Sequence, residues 1–147
     1  MKGENVFSEY WSNPAATADS FTGDGWFKTG DIAVLDKGYY RIMGRNSVDI
    51  IKSGGYKISA LEIEEVLRTH PLVKDCAVVG LDNEEWGELV AAALVPADSQ
   101  PIDTVALNTW MRERVPAYRV PRQYLLVNEL PRNAMGKVTK NDVKKLF

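Results

Sequence analysis

The clearest periodic pattern of apolar and polar positions runs from Ser59 to His70. Ser59 is a good helix N-cap, and Glu62 three residues later completes the pattern of a capping box. Pro71 directly follows His70 and predicts the end of the helix. The expected buried face holds Leu61, Ile63, Val66 and Leu67, and the expected solvent face holds Glu64, Glu65 and Arg68. The segment is therefore predicted to be an amphipathic helix.

Three longer apolar runs predict strands inside a sheet. They are VKDCAVVGLD at 73–82, EWGELVAAALVP at 85–96 and RQYLLVNEL at 122–130. Apolar and β-branched residues dominate these runs, as is typical of buried strands. Further helices are predicted to begin near Asn13, at Asp103 or Thr104, and at Thr139. The pattern predicts an α+β domain with a three-stranded sheet flanked by helices.

A β-hairpin is predicted ahead of this sheet. Two β-favouring runs in IAVLDKGYYRIMG flank the turn-forming sequence Asp36-Lys37-Gly38. A short strand, IIKS at 50–53, comes later, and the glycine pair that follows it predicts a turn. Between hairpin and strand, RNSVD at 45–49 interrupts the pattern.

Composition and charge narrow the class of function. The 147 residues include 18 basic and 20 acidic side chains, for a net charge of −2. A nucleic-acid-binding protein usually carries a basic field, which is missing here. The single cysteine, Cys76, lies in an apolar run and is interpreted as a buried hydrophobic residue, and the lone His70 has no partners for a metal site.

Targeting signals are also missing from the sequence. No run approaches the ~18 apolar residues that a membrane span needs. Residues 1–20 show no apolar signal core. The protein is predicted not to be secreted, and to reside in the cytoplasm or the mitochondrial matrix.

Three loop-like segments carry groups that handle phosphates and sugars. Asp31 in TGD follows a glycine turn, where its carboxylate can accept hydrogen bonds from a ribose diol. Arg45 offers a fork of donors, and Gly54 and Gly55 let a ligand approach the backbone. Lys137 follows a glycine in PRNAMGKVTK, a setting that ordinary surface lysines do not need. Taken singly, each segment also fits an ordinary turn.

In order and spacing, these segments resemble the adenylate-forming superfamily of acyl-CoA synthetases, peptide-synthetase adenylation domains and firefly-type luciferases. GWFKTGD is similar to the ribose-binding motif of that family. YYRIMGRNSVDIIKSGGYKISALEIEEVL is similar to its hinge and glycine loop, and PRNAMGKVTK to its terminal lysine motif. The likeness covers essentially the whole chain and is greatest to the malonyl-CoA synthetase branch.

This resemblance implies two half-reactions. A carboxylate attacks the α-phosphorus of ATP to give an acyl-adenylate and pyrophosphate, and the thiol of coenzyme A then displaces AMP. By the resemblance, Lys137 is the catalytic lysine of the first step, and Asp31 and Arg45 bind the ribose of ATP or AMP. Gly54 and Gly55 are expected to line the coenzyme A channel after a domain rotation.

The same resemblance implies a domain organisation. Residues 1–45 are expected to form the edge of a large N-terminal AMP-binding domain, 46–49 the hinge and 50–147 the mobile C-terminal lid. Ser47, Val48 and Asp49 are the candidate hinge residues. ATP, Mg²⁺ and coenzyme A are the expected cofactors and substrates. The phosphate loop, the acyl pocket and the Mg²⁺ ligand are expected in the N-terminal domain, which is the expected partner, so this portion alone is predicted to be inactive.

Two alternatives to a malonate or short-chain ligase stay open. One is a ligase for another fatty or aromatic acid, or an enzyme that loads the phosphopantetheine of a carrier protein. The other is a binding module that kept the fold without catalysis. Asp31, Arg45 and Lys137 are all present, which favours a ligase.

Overall fold

A computed structural model describes residues 1–97 and 102–147. Its elements, in chain order, are α1 (Pro14–Ser20), β1 (Asp31–Asp36), β2 (Tyr39–Arg45), β3 (Ile50–Ser53), β4 (Tyr56–Ser59), α2 (Ala60–Leu67), β5 (Val73–Asn83), β6 (Gly87–Pro96), α3 (Thr104–Arg112), a 3₁₀ turn (Ala117–Arg119), β7 (Gln123–Leu126) and α4 (Lys140–Lys144). This arrangement confirms the predicted α+β class.

The main sheet has five strands, so the prediction of a three-stranded sheet was wrong in strand number. β5 pairs antiparallel with β6 along its whole length. The other edge of β6 is shared, because β3 pairs with its first residue and β7 runs parallel to it from Ala91 to Leu94. β4 completes the sheet as the antiparallel partner of β3. Within residues 1–97 and 102–147, Ser53 with Gly87 is the one register pair between β3 and β6, and the Gly54 N–H adds a hydrogen bond to the Trp86 carbonyl beside it. No local pattern in the sequence predicts this pairing.

The predicted hairpin forms a separate two-stranded sheet of β1 and β2. Lys37 and Gly38 occupy its turn with φ of 49° and 87°. Positive φ at both residues of a two-residue turn matches the right-handed twist of the two strands that it joins. All of β1 and most of β2 are exposed. Large apolar side chains on this hairpin therefore face solvent: Ile32, Val34, Leu35, Tyr39, Tyr40 and Ile42.

The core lies on both faces of the five-stranded sheet. Residues alternate along β5 and β6, so that Cys76 and Val78 belong to one cluster while Ala77 and Val79 belong to the other. Helices α2 and α3 contribute to the first cluster and α4 to the second. The sheet is thus a central layer between helices.

Helix α2 begins as predicted and buries an unexpected residue. The Ser59 hydroxyl accepts a hydrogen bond from the Glu62 backbone N–H at 3.3 Å, which confirms the predicted N-cap. Glu64, expected on the solvent face, is instead buried beside Ile63. Helical periodicity identifies the apolar face of α2. It does not show that a cation from another helix makes burial of Glu64 possible.

Candidate active site

Asp31 and Arg45 lie opposite each other at the end of the β1–β2 hairpin. They are register partners, and Arg45 Nε lies 3.4 Å from Asp31 Oδ1. The Asp31 N–H donates to Thr29 Oγ1 at 3.2 Å, and Gly30, with φ of 78°, sets the turn before the strand. Both charged residues are exposed. The structure therefore brings the two predicted ribose-binding residues together and leaves both of them accessible to solvent.

The three candidate hinge residues form a turn between β2 and β3, in which Ser47 is exposed, Val48 half-buried and Asp49 buried. The Asp49 N–H donates to the Arg45 carbonyl at 2.8 Å, and the Arg45 N–H donates to the Asp49 carboxylate at 2.9 Å. Gly44 permits this packing, because an added Cβ there would lie 2.5 Å from the Asp49 Cβ. Asp49 thus closes the turn, and Ser47 and Val48 are its more open members.

Asp49 also belongs to a buried charge cluster that joins three parts of the fold. Lys140 Nζ, at the start of α4, lies 2.6 Å from Asp49 Oδ1 and 2.9 Å from Glu64 Oε1 on α2. These are ion-pair distances, although their angles are poor for hydrogen bonds. Glu64 also pairs with Arg68 at 3.1 Å and accepts the Val78 N–H at 2.8 Å. Matched charges are what burial of ions requires.

The predicted glycine loop is the turn between β3 and β4. Gly54 and Gly55 have φ of 55° and 82°, and the Gly54 N–H donates to the Trp86 carbonyl at 2.9 Å. A Cβ at Gly54 would lie 3.1 Å from the Trp86 ring, whereas a Cβ at Gly55 would meet nothing within 4 Å. Gly54 is therefore packed and Gly55 faces open space.

Aromatic and basic side chains surround this turn. The Tyr56 ring stacks on the Tyr118 ring with centroids 4.4 Å apart, and the Arg122 guanidinium lies 3.8 Å from the centroid of a Trp86 ring. Beside them is an open cavity of about 380 Å³, whose lining includes Asn108, Arg112, Tyr118, Pro121 and Arg122. Two cations thus face one cavity close to the glycine turn.

The four arginines of this region have different roles in the structure. Arg112 and Arg122 line the cavity. Arg119 instead pairs with Glu62 at 2.8 Å. Arg114 pairs with Glu113 at 3.1 Å and stacks over Trp110. Only the first two are placed to meet a ligand in the cavity.

Lys137 lies in a compact turn closed by Asn133. Asn133 Oδ1 accepts the backbone N–H groups of Met135 and Lys137, both at 3.0 Å. The Asn133 N–H donates to the Lys137 carbonyl at 2.9 Å, and an isolated bridge pairs Arg132 with Val138. Gly136 takes φ of 77° inside the turn. Local hydrogen bonds therefore fix the backbone that presents the lysine.

The Lys137 side chain is exposed, and none of the ion pairs found in residues 1–97 and 102–147 includes it. The hydrogen bonds of its turn lead to β5 and not to Asp31 or Arg45. Within the described residues, no hydrogen bond or ion pair connects the predicted lysine to the predicted ribose pair. The structure leaves an unmatched ammonium group on a fixed turn.

Burial decides the chemistry of the single thiol. Cys76 is buried in the sheet, and desolvation raises its pKa to about 12. The thiol is therefore protonated at neutral pH and unsuited to nucleophilic attack. This agrees with its interpretation as a buried hydrophobic residue.

Residues 1–97 and 102–147 contain no group of three or more His, Cys, Asp or Glu side chains placed to hold a metal ion. In the same ranges, the helices are all too short or too polar to cross a bilayer.

Sequence reasoning missed several residues that build the site. Arg132 and Asn133 hold the Lys137 turn in place. Their position in the same loop as Lys137 was the one feature of the sequence that could have indicated this role. Lys140 was overlooked because its carboxylate partners lie on elements distant in sequence. Trp86 packs against the glycine loop from a distant part of the sequence, so no local pattern signals that contact.

Known proteins resemble this chain in sequence over its whole length. The family of AMP-binding enzyme C-terminal domains matches residues 62–137. The mitochondrial malonate–CoA ligase of Bos taurus is 49% identical over 100% of this chain and 25% of its own length. The malonate–CoA ligase of Arabidopsis thaliana is 46% identical over 99% of this chain and 26% of its own length. The chain thus spans about a quarter of these relatives.

The fold of this chain also resembles those of solved structures. ATP-bound MatB from Rhodopseudomonas palustris has a TM-score of 0.89 at 35% identity, covering 99% of this chain and 29% of that chain. The apo structure of MatB has a TM-score of 0.70 with the same coverage, at 36% identity. The fold agrees with that of MatB, and residues 62–137 match the family model. This chain therefore belongs to the family of AMP-binding enzyme C-terminal domains.

Proposed function

We propose that this chain is the C-terminal portion of an AMP-forming carboxylate–CoA ligase whose acid is malonate or another short-chain acid. The observation that carries the proposal is the exposed Lys137, held on a braced turn and free of ion pairs in the described residues. The relatives named malonate–CoA ligase support the choice of acid.

In the first half-reaction, Lys137 is the catalytic residue. A carboxylate oxygen of the acid forms a bond to the α-phosphorus of ATP, and the bond to the bridging oxygen breaks as pyrophosphate leaves. Two anions have to meet, so a compact ammonium group lowers the barrier by stabilising the charge that shifts between them. An exposed lysine on a fixed turn can enter such a site without first breaking an ion pair.

Asp31 and Arg45 act on the nucleotide in this proposal. The carboxylate of Asp31 accepts hydrogen bonds from the ribose hydroxyls of ATP or AMP, and Arg45 donates a further one. Their mutual contact at 3.4 Å is loose enough to admit a competing sugar hydroxyl. Both residues belong to the hairpin, so they stay with the large domain when the lid moves.

The second half-reaction uses the other side of the lid. The coenzyme A sulfur forms a bond to the acyl carbon, and the bond to the adenylate oxygen breaks as AMP leaves. We assign the open side of Gly54 and Gly55 to the pantetheine arm, because Gly55 leaves space beside the backbone. The adjacent cavity, with Arg112 and Arg122, suits the anionic nucleotide end of coenzyme A.

The domain organisation belongs to the same proposal. Residues 1–45 form the edge of the large domain, the 46–49 turn is the hinge, and 50–147 form the lid. The apolar side chains exposed along β1 and β2 support this division, since a hairpin at the edge of a larger domain would bury them. Mg²⁺ would then be held by the large domain, and the compartment would be the cytoplasm or the mitochondrial matrix.

The test measures the two half-reactions separately in the complete gene product. Lys137→Ala is expected to lower malonate-dependent ATP–pyrophosphate exchange by ~10²–10³-fold, because one preorganised charge is worth about 3–4 kcal/mol in a transition state. Thioester formation from preformed adenylate should be retained. The control is Lys145→Ala, which removes an exposed lysine whose ion pair in the described residues is with Asp142.

Other outcomes separate the alternatives. Exchange that responds to longer or aromatic acids but not to malonate would change the substrate class and keep the enzyme. Exchange that survives Lys137→Ala would remove the lysine from the mechanism. If no acid supports exchange in the complete protein, the chain is a binding module rather than part of a ligase.

A further inference from the structure

Arg132 connects the Lys137 turn to the central sheet. Its Nη1 donates to the Gly136 carbonyl at 2.6 Å, and its Nη2 donates to Asp75 Oδ2 on β5, also at 2.6 Å. Both terminal nitrogens of one planar guanidinium are thus engaged, Nη1 by the peptide that precedes the lysine and Nη2 by the sheet. Such a fork fixes direction as well as distance.

Asp75 is itself fixed to β5. Its Oδ1 accepts the Cys76 backbone N–H at 2.8 Å, which leaves Oδ2 to receive Arg132. Cys76 is buried in the core, so the carboxylate is anchored to a buried strand of the sheet. The chain of contacts therefore runs from the core through Asp75 and Arg132 to the backbone that carries Lys137.

The peptide between Gly136 and Lys137 depends on hydrogen bonds, because Gly136 has no side chain to pack. Gly136 adopts a positive φ, and a Cβ built there would meet nothing within 4 Å. Asn133 Oδ1 holds the N–H of this peptide from within the turn. Arg132 holds its carbonyl and is the contact that connects the peptide to the sheet.

We propose that the Arg132–Asp75 pair is a positioning device for Lys137 in the adenylation step. Arg132 is a positioning residue, since it acts through the lysine backbone. This inference rests on the proposed function. Side-chain exposures of 46% for Arg132 and 29% for Asp75 show that the pair is only partly shielded, so it contributes little to folding stability.

The first experiment compares Arg132→Gln with wild type in the complete gene product, in both half-reactions. Arg132→Gln is expected to lower carboxylate-dependent pyrophosphate exchange roughly 10–100-fold, because a misplacement of about 1 Å has that effect on an oriented reaction. The loss should fall on kcat, with the KM for ATP unchanged. Thioester formation from preformed adenylate, which does not use Lys137, should stay at the wild-type rate.

Three further variants sharpen the test. Asp75→Asn keeps an acceptor for the Cys76 N–H but weakens the hold on Arg132, so it should lower exchange in the same selective way. Added to Arg132→Gln, it should cause no further loss, because both changes break one interaction. Arg114→Gln is the matched control, since Arg114 forms an exposed pair with Glu113 away from the turn.

The outcomes are distinguishable. If Arg132→Gln and Asp75→Asn leave exchange unchanged, or lower both half-reactions equally, the positioning role is wrong. If Arg132→Gln fails to fold, Asp75→Asn still decides between these results. If wild type shows no exchange, or Lys137→Ala keeps it, the proposed function fails first and the inference falls with it.

Discussion

At the scale of the single residue, the glycine loop shows how neighbours with the same identity differ in environment. Gly54 and Gly55 both have positive φ, but the Trp86 ring contacts only Gly54. The sequence predicted the turn from the pair itself. It did not distinguish the two glycines, because Trp86 approaches from the turn between β5 and β6.

We therefore expect Gly54→Ala to destabilise the chain more than Gly55→Ala. Both changes place a Cβ in a left-handed conformation, which costs about 1–2 kcal/mol. Gly54→Ala must in addition displace the Trp86 ring from 3.1 Å. Urea denaturation of the chain, monitored by circular dichroism, measures both free energies of unfolding. Equal losses would mean that Trp86 moves aside without cost.

At the scale of elements, Lys140 ties α4 to α2 and to the turn before β3. Its side chain is 9% exposed and lies between the carboxylates of Asp49 and Glu64. The sequence predicted the helices but placed Glu64 in solvent. Periodicity could not do better, because the cation that makes burial acceptable comes from another helix.

Replacing Lys140 with Met should destabilise the chain by about 3–5 kcal/mol, since buried carboxylates would lose their cation. The control, Lys145→Met, removes an exposed lysine paired with Asp142 and should change stability by less than about 1 kcal/mol. Thermal and urea unfolding of both variants give the comparison. A Lys140→Met chain as stable as the control would show that the buried cluster contributes no net stability.

At the scale of the whole molecule, a few polar contacts hold the hairpin on the rest of the chain. Arg41 on β2 pairs with Glu62 on α2, and Arg119 binds the other Glu62 oxygen at 2.8 Å. The Ser59 hydroxyl donates to the Met43 carbonyl at 2.6 Å.

Glu62→Gln should therefore loosen the hairpin and expose the 46–49 turn. Trypsin cleavage of the chain after Arg45 is expected to become about two- to fivefold faster, because the ion pair that holds β2 against α2 is lost. Glu65→Gln, on the exposed side of the same helix, is the control. Mass spectrometry of the fragment ending at Arg45 measures the rate. Equal rates in the two variants would contradict a holding role for Glu62.

What the sequence determined by itself are the features that depend on near neighbours. Asn13 and Ser59 cap their helices, and Lys37 with Gly38 turns the first hairpin, because each involves groups a few residues apart. The order of the motifs also sufficed to predict the family. These features require no knowledge of which distant elements meet.

Only the tertiary structure decided how distant groups are paired. Asp75 and Arg132 are 57 residues apart, and Lys140 meets carboxylates from two other elements. The β3–β4 hairpin pairs with β6 at Ser53 and Gly87, which are far apart in the sequence. A buried or bridging charge pair stabilises the fold only when the fold already holds both partners in position. Folding of the whole sheet is what holds them there.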